Sequence, residues 1–193
     1  MEKNKFSRGK DVKRGKLPIY DIDSSLILEI IFENPRQEDA KVIFYLSGYR
    51  NKYIAADFDF RYNFPKSALY RHKILITNIN VRAYRLVVSS IVIGEVIYVI
   101  NKENDQEYRE KYIEALKRII LYHDLEIYRP LETSLDKISE VLSADAFFKF
   151  MDALIFACVL ENKSVKFITF DSDFLQNKNL KERFKAIKID DKC

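Results

Sequence analysis

The stretch LPIYDIDSSLILEIIF, residues 17–32, decides the fold. Leu17 to Ile22 is a short apolar run interrupted by a single acid, and it reads as a buried strand. Ser25 to Phe32 is apolar, lacks internal breakers and stops ahead of Asn34-Pro35, so it reads as a helix. At the joint between them stand Asp21 and Asp23. Burying either carboxylate without a partner costs several kcal/mol. An acid in that position is therefore paired, bound to a cation, or engaged in chemistry.

Working outward, the same order recurs. A second helix is expected from Gln37 to about Tyr49, and YRLVVSS (84–90) gives a β-branched strand. IVIGEVIYVI (91–100) follows as a helix, with Ser89 or Ser90 as its cap and Glu95 near its start. Glu103 to Tyr122 is amphipathic, and LEIY (125–128) is a strand stopped by Pro130. Two helices are expected near Ser134–Leu142 and Ala144–Glu161, then a strand at KFITF (166–170) and a last one at KAIKI (185–189). Strands alternating with helices predict an α/β fold, a three-layer α/β/α sandwich around a mostly parallel sheet. In such sheets functional groups gather beyond the carboxyl ends of the strands, at the topological switch point.

That rule selects the acids. Asp23 ends the first strand, Glu95 lies early in the helix after the second, and Asp171 and Asp173 follow KFITF. Asp152 is a lone charge in the apolar FKFMDALIFACVL (148–160), with Asp145 seven residues earlier on the expected helix face. Each has a structural explanation of its own: a helix cap for Asp23, an Asx-turn for Asp171, a helix N-terminus for Glu95, and an exposed outer stripe for Asp152. Four acids at converging positions together point to a site. Carboxylates packed together raise one another's pKa unless a cation neutralises them, and all-oxygen donors suit Mg²⁺ or Mn²⁺. Such ions acidify a water and clamp a phosphodiester, which needs no Cys, His nucleophile or Gly-rich loop.

Composition sets the limits. The chain has 193 residues, 48% hydrophobic and 32% charged, with 4 Gly and 4 Pro, which is globular in character. Two Cys and two His leave no disulfide framework, zinc spacing or His-rich centre, and a reducing cytoplasm is the expected compartment. No run of apolar residues is long enough to span a membrane. Net charge is only +4, unevenly spread. Residues 1–16 form a basic arm expected to be flexible, ahead of a single domain over 17–193. Around 51–85 lies an insertion-like segment without acids from Phe60 onward, in which Arg61, Lys66, Arg71, Lys73, Arg82 and Arg85 alternate with aromatics. Basic side chains interleaved with rings suit a phosphate backbone and stacked bases, and these six are the expected nucleic-acid contacts.

IYDIDSSLIL, VSSIVIGEV, MDALIFACVLENK and FITFDSDF, in this order, resemble the motifs of the PIN-domain family of metal-dependent nucleases. The resemblance spans roughly residues 17–175. It implies Asp23, Glu95, Asp152 and Asp171 as the acidic quartet and metal ligands, with Asp173 as an accessory ligand. It further implies Mg²⁺- or Mn²⁺-dependent cleavage of single-stranded RNA, homodimerisation, and, as for many relatives, a protein antitoxin. The chain is longer than the compact toxin pattern, and it has no zinc ribbon. Two alternatives compete. One is a non-catalytic PIN-like module that binds RNA or protein. The other is a haloacid-dehalogenase-type phosphatase with Asp21 as nucleophile and Asp23 as acid/base, which leaves Glu95 and Asp152 without a role.

Overall fold

The structure is a computed structural model and describes residues 18–47, 84–122 and 125–192. The basic arm, most of the 51–85 segment, and with it Arg61, Lys66, Arg71, Lys73 and Arg82, lie outside the described residues.

Five strands form one sheet: β1 (Ile19–Ile22), β2 (Arg85–Ser89), β3 (Glu126–Tyr128), β4 (Lys166–Ile168) and β5 (Lys188–Asp190). Their order is β3-β2-β1-β4-β5 and every pairing is parallel. β1 is thus the central strand, with Asp21 opposite Val87 on one side and Phe167 on the other. The chain winds outward from β1 through β2 to β3, then returns to the other side of β1 for β4. The direction reverses between β1 and β4, so the switch-point crevice opens where those two strands end. Ile22-Asp23 and Ile168-Thr169 are the residues that end there.

The connections are helical: α1 (Ser24–Ile31), α2 (Gln37–Ser47), α3 (Ser90–Ile100), α4 (Gln106–Tyr122), α5 (Thr133–Ala144), α6 (Phe150–Glu161), α7 (Ser172–Leu175) and α8 (Lys178–Arg183). α1 packs against α2, α3 and α4, while α5 packs against α6 and α8. These two helical groups and the sheet between them make the three-layer α/β/α sandwich. The core runs through all layers, from Leu26, Ile27 and Val96 to Val88 and Ile22 and on to Phe156 and Phe167. Phe156 meets Phe167 at 5.8 Å, Phe174 at 6.3 Å and Phe184 at 5.5 Å between ring centres. Aromatic edges and faces so arranged add to the area they bury.

Two expected boundaries move. α4 begins at Gln106, three residues after Glu103, because the Asp105 carboxylate accepts the Glu107 N–H at 2.8 Å and caps the helix there. α6 begins at Phe150, not Ala144. Asp145 closes α5 with extended backbone (φ −148°, ψ 100°) and accepts the Phe147 N–H at 3.0 Å. Asp145 and Asp152 therefore do not share a helix face. Asp145 instead accepts from Asn177 Nδ2 at 2.9 Å, tying the turn to the cap of α8.

Candidate metal centre

Asp23 follows β1 directly and stands just before α1, 3% exposed. Its backbone N–H donates to the Ile168 carbonyl at 3.1 Å, extending the β1–β4 pairing by one step. Its carboxylate takes the Ser25 hydroxyl at 2.8 Å and the Thr169 hydroxyl at 2.9 Å, both on Oδ2. Burial pushes its pKa up; the Ser25 and Thr169 bonds oppose this, and the charge of Asp171 adds to it.

Both hydroxyls reach across the crevice. Ser25 Oγ accepts the Phe170 N–H at 2.9 Å, and Thr169 Oγ accepts the Asp171 N–H at 2.9 Å. The start of α1 and the exit of β4 are thereby latched together around Asp23. Asp171 caps the short α7 through the Asp173 N–H, 2.8 Å from its Oδ1. The Asx-turn reading of Asp171 thus holds alongside its place in the cluster, since the cap engages Oδ1.

Glu95 is the sixth residue of α3, past the first turn, which removes the helix-terminus explanation for it. Ser89 caps that helix by accepting the Val92 N–H at 3.2 Å. Burial raises the pKa of Glu95; Ser24 hydrogen-bonds the side chain, and Asp23 and Asp171 repel its charge. Asp152 lies in the first turn of α6, a helix buried around almost its whole circumference through Ala153 and Ile155–Val159. It is not on an outer stripe; it is itself buried. Burial pushes its pKa to about 6, eased by Lys149 and reinforced by Asp171, Asp23 and Glu95.

Asp23, Glu95, Asp152 and Asp171 are therefore close enough to act on one another's charge. Two of their oxygens, Glu95 Oε2 and Asp152 Oδ2, are buried with no hydrogen-bond partner. A buried oxygen without a donor costs about 1–3 kcal/mol. A hard cation would satisfy such oxygens. Among the described residues no group of three or more His, Cys, Asp or Glu side chains is arranged so that it could hold a metal ion. Carboxylate oxygens are nonetheless the donor type that hard divalent ions such as Mg²⁺ take. The donor set fits a hard divalent ion.

The other candidates sit elsewhere. Asp21, 2% exposed, is held by Asn162 Nδ2 at 3.1 and 3.2 Å and by the Ser164 hydroxyl, below the end of α6. Burial lifts its pKa to about 7 against those two hydrogen bonds. Its partners are structural, and it is one turn of the strand short of the crevice. Asp173 is exposed on the rim, where Lys149 Nζ meets its Oδ2 at 2.5 Å. Arg85 begins β2 opposite Ile19, at the strand's N-terminal end and away from the crevice, and engages Glu126 through Nε at 2.9 Å. The structure does not bring it to the acids. Thr169 and Ser25 are the residues that sequence reasoning passed over. Their signal was a hydroxyl two residues before Asp171 and another two after Asp23.

Comparison with known proteins agrees with this architecture. The PIN domain family model matches residues 64–180, well over half of the chain. The match starts after β1, so it takes in Glu95, Asp152 and Asp171 and leaves out Asp23. No curated protein matches the chain. Among solved structures it is similar to VapBC2 from Rickettsia felis bound to a DNA fragment from its promoter, with a TM-score of 0.52 and 15% identity over 89% of this chain and 96% of that one. It is likewise similar to VapC20 of Mycobacterium tuberculosis, a sarcin-ricin loop cleaving toxin, with a TM-score of 0.50 and 15% identity over 82% of this chain and 95% of that one. The chain belongs to the PIN-domain family.

Proposed function

We propose that this chain is a divalent-metal-dependent endoribonuclease that hydrolyses phosphodiester bonds of single-stranded RNA. The observation that carries the reading is the pair of unpartnered buried oxygens, Glu95 Oε2 and Asp152 Oδ2, inside a group of four mutually repelling acids. Asp23, Glu95, Asp152 and Asp171 hold the ion, Mg²⁺ or Mn²⁺, with Asp173 available as an accessory from the rim. When bound, the ion supplies charge neutralisation for the phosphodiester and a water acidic enough to attack it.

The chain's own residues do the positioning. Ser25 and Thr169 both donate to Oδ2 of Asp23, Ser24 Oγ makes a long contact of 3.4 Å with Oδ1, and the Ser24 backbone N–H also donates to the carboxylate. The Thr169 and Ser25 oxygens fix the backbone on which Asp171 stands. Burial raises the pKa of Asp152, and a cation bound beside it would favour its charged form.

The domain is taken as residues 17–193, with the basic segment around 51–85 as an RNA-binding addition. An antitoxin partner is in keeping with the VapBC2 neighbour, and a homodimer and a cytoplasmic setting belong to the same reading. An RNA substrate is also in keeping with VapC20, described as cleaving the sarcin-ricin loop. The test is cleavage of single-stranded RNA with and without Mn²⁺ by the native chain and by Asp152→Asn. Cleavage that requires Mn²⁺ and the Asp152 carboxylate supports the reading; Mn²⁺-independent cleavage, or none by the native chain, overturns it.

A further inference from the structure

Between α5 and α6 the chain makes a turn, residues 145–149, whose two phenylalanines face opposite ways. Phe148 is buried, its ring edge-on to Phe174 at 5.1 Å. Phe147 is 98% exposed. The turn is firmly built. The Asp145 carboxylate accepts the Phe147 N–H at 3.0 Å and Asn177 Nδ2 at 2.9 Å, and the Asp145 carbonyl accepts the Phe148 N–H at 3.1 Å. With Phe148 anchored in the core, Phe147 is held outward with both ring faces free. Among the described residues Phe147 and Phe150 are the exposed phenylalanines, and Lys149 stands between them with its side chain 70% exposed.

This turn leads directly into Asp152. The Lys149 ammonium lies on Asp173 and acts electrostatically on Asp152 and Asp171. Two rings bracketing an ammonium at the mouth of an acidic crevice match what a single strand presents, flat bases separated by phosphates. A protein-docking patch is built differently, as contiguous apolar surface inside a polar rim. Here the ammonium of Lys149 interrupts the exposed Phe147 and Phe150, while the exposed Met151 beyond them adds apolar surface, so a protein segment is the rival occupant that the Phe147→Leu variant distinguishes.

We propose that Phe147 is a stacking platform for a base of single-stranded RNA, with Lys149 receiving the adjoining phosphate, beside the acidic crevice. The proposal rests on the nuclease reading for its substrate. It adds a positioning element outside the 51–85 segment and sets the strand's path along the start of α6.

The experiment is an anisotropy titration of fluorescein-labelled single-stranded RNA with the full chain, in Ca²⁺ in place of Mn²⁺, the RNA being checked for integrity on a gel. Phe147→Ala is expected to weaken binding by about tenfold, the scale of one lost base–aromatic stack. Phe147→Trp keeps the affinity, and Phe147→Leu loses it as Ala does. Lys149→Gln lowers the slope of log affinity against log salt by about one. The melting temperatures of all four stay at the native value, because the altered side chains are exposed. Equal binding by Phe147→Ala and the native chain overturns the proposal. So does full affinity of Phe147→Leu, which marks an apolar contact for a protein segment. Mn²⁺-dependent cleavage of the same RNA is scored separately. Cleavage with ring-independent binding removes the platform alone, ring-dependent binding without cleavage removes the nuclease alone, and no binding removes both.

Discussion

The Thr169 hydroxyl donates to Oδ2 of Asp23 at 2.9 Å while its oxygen accepts the Asp171 N–H at the same distance. One side chain thereby joins the end of the central strand to the exit of its neighbour. Thr169→Val keeps the shape and removes both bonds, leaving a buried carboxylate oxygen and an amide short of partners. We expect a loss of about 1–3 kcal/mol in urea unfolding, together with reduced cleavage. Thr169→Ser should recover most of both. A Val variant as stable and active as the native chain would remove Thr169 from the latch.

Asp152→Asn separates stability from function. The neutral amide has no charge for the neighbouring acids to repel, so the metal-free protein should melt a few degrees higher than the native chain. Its cleavage of RNA should drop to background. Calorimetry and a cleavage assay on the same preparation check both; lower stability together with retained activity would contradict the assignment.

Asp21 and Asp23, two residues apart, should respond oppositely. Asp21→Asn turns an amide donor toward the donors Asn162 and Ser164, at a cost of about 1–3 kcal/mol. The folded fraction should still cleave RNA. Asp23→Asn should abolish cleavage. If Asp21→Asn instead proves the severe lesion in a phosphatase assay, the competing phospho-aspartate chemistry gains the ground that the nuclease loses.

The metal-free fold should be more stable in mild acid than at neutrality. Asp21, Asp23, Glu95 and Asp152 all have raised pKa values, with Asp21 at about 7 and Asp152 at about 6. Between about pH 4 and 7 the folded chain holds protons that the unfolded chain gives up, so stability falls as pH rises through that window. Glu161 and Asp190 run the other way: hydrogen bonds from Ser134 and from Lys188 outweigh their burial and hold them low, so stability is lost only below the ordinary carboxylate range. The melting temperature should therefore peak at about pH 4, the ordinary carboxylate range. Excess Mn²⁺ should flatten the decline toward pH 7.5, since an ion bound only to the folded state adds about 2.7 kcal/mol at a hundred times its Kd. A profile unchanged by Mn²⁺ would argue for a non-catalytic module.

The strand–helix alternation was legible because each buried strand is a short apolar run ended by a polar joint, as in Tyr20-Asp21-Ile22-Asp23. All five strands and most helix ends fall where apolar periodicity placed them. The start of α6 was not legible, since Phe147 and Phe148 extend the apolar pattern backward through a turn that only the Asp145 side chain defines. Nor could the pattern say that β1 is central, because strand neighbours are set by tertiary packing. Asp23 and Asp171 stand at a strand end or a helix start as the pattern placed them; Asp152 proved to be at a helix start too, whereas Glu95 lies past the first turn of α3. The roles of Thr169 and Ser25 were not, because a hydroxyl in sequence does not reveal which carboxylate across the crevice it serves.

The parallel order β3-β2-β1-β4-β5 also has a temporal consequence. The strand that carries Asp23 is made first, yet its second neighbour, β4, lies some 145 residues later in the chain, as the register of Asp21 with Phe167 shows. Long-range parallel pairing of this kind is slow to form, and domains assemble largely as units during synthesis. A growing chain therefore carries its acids scattered and separately solvated until β4 docks. The acid cluster comes into being only once β4 has docked, so a chain cut short before β4 never assembles it.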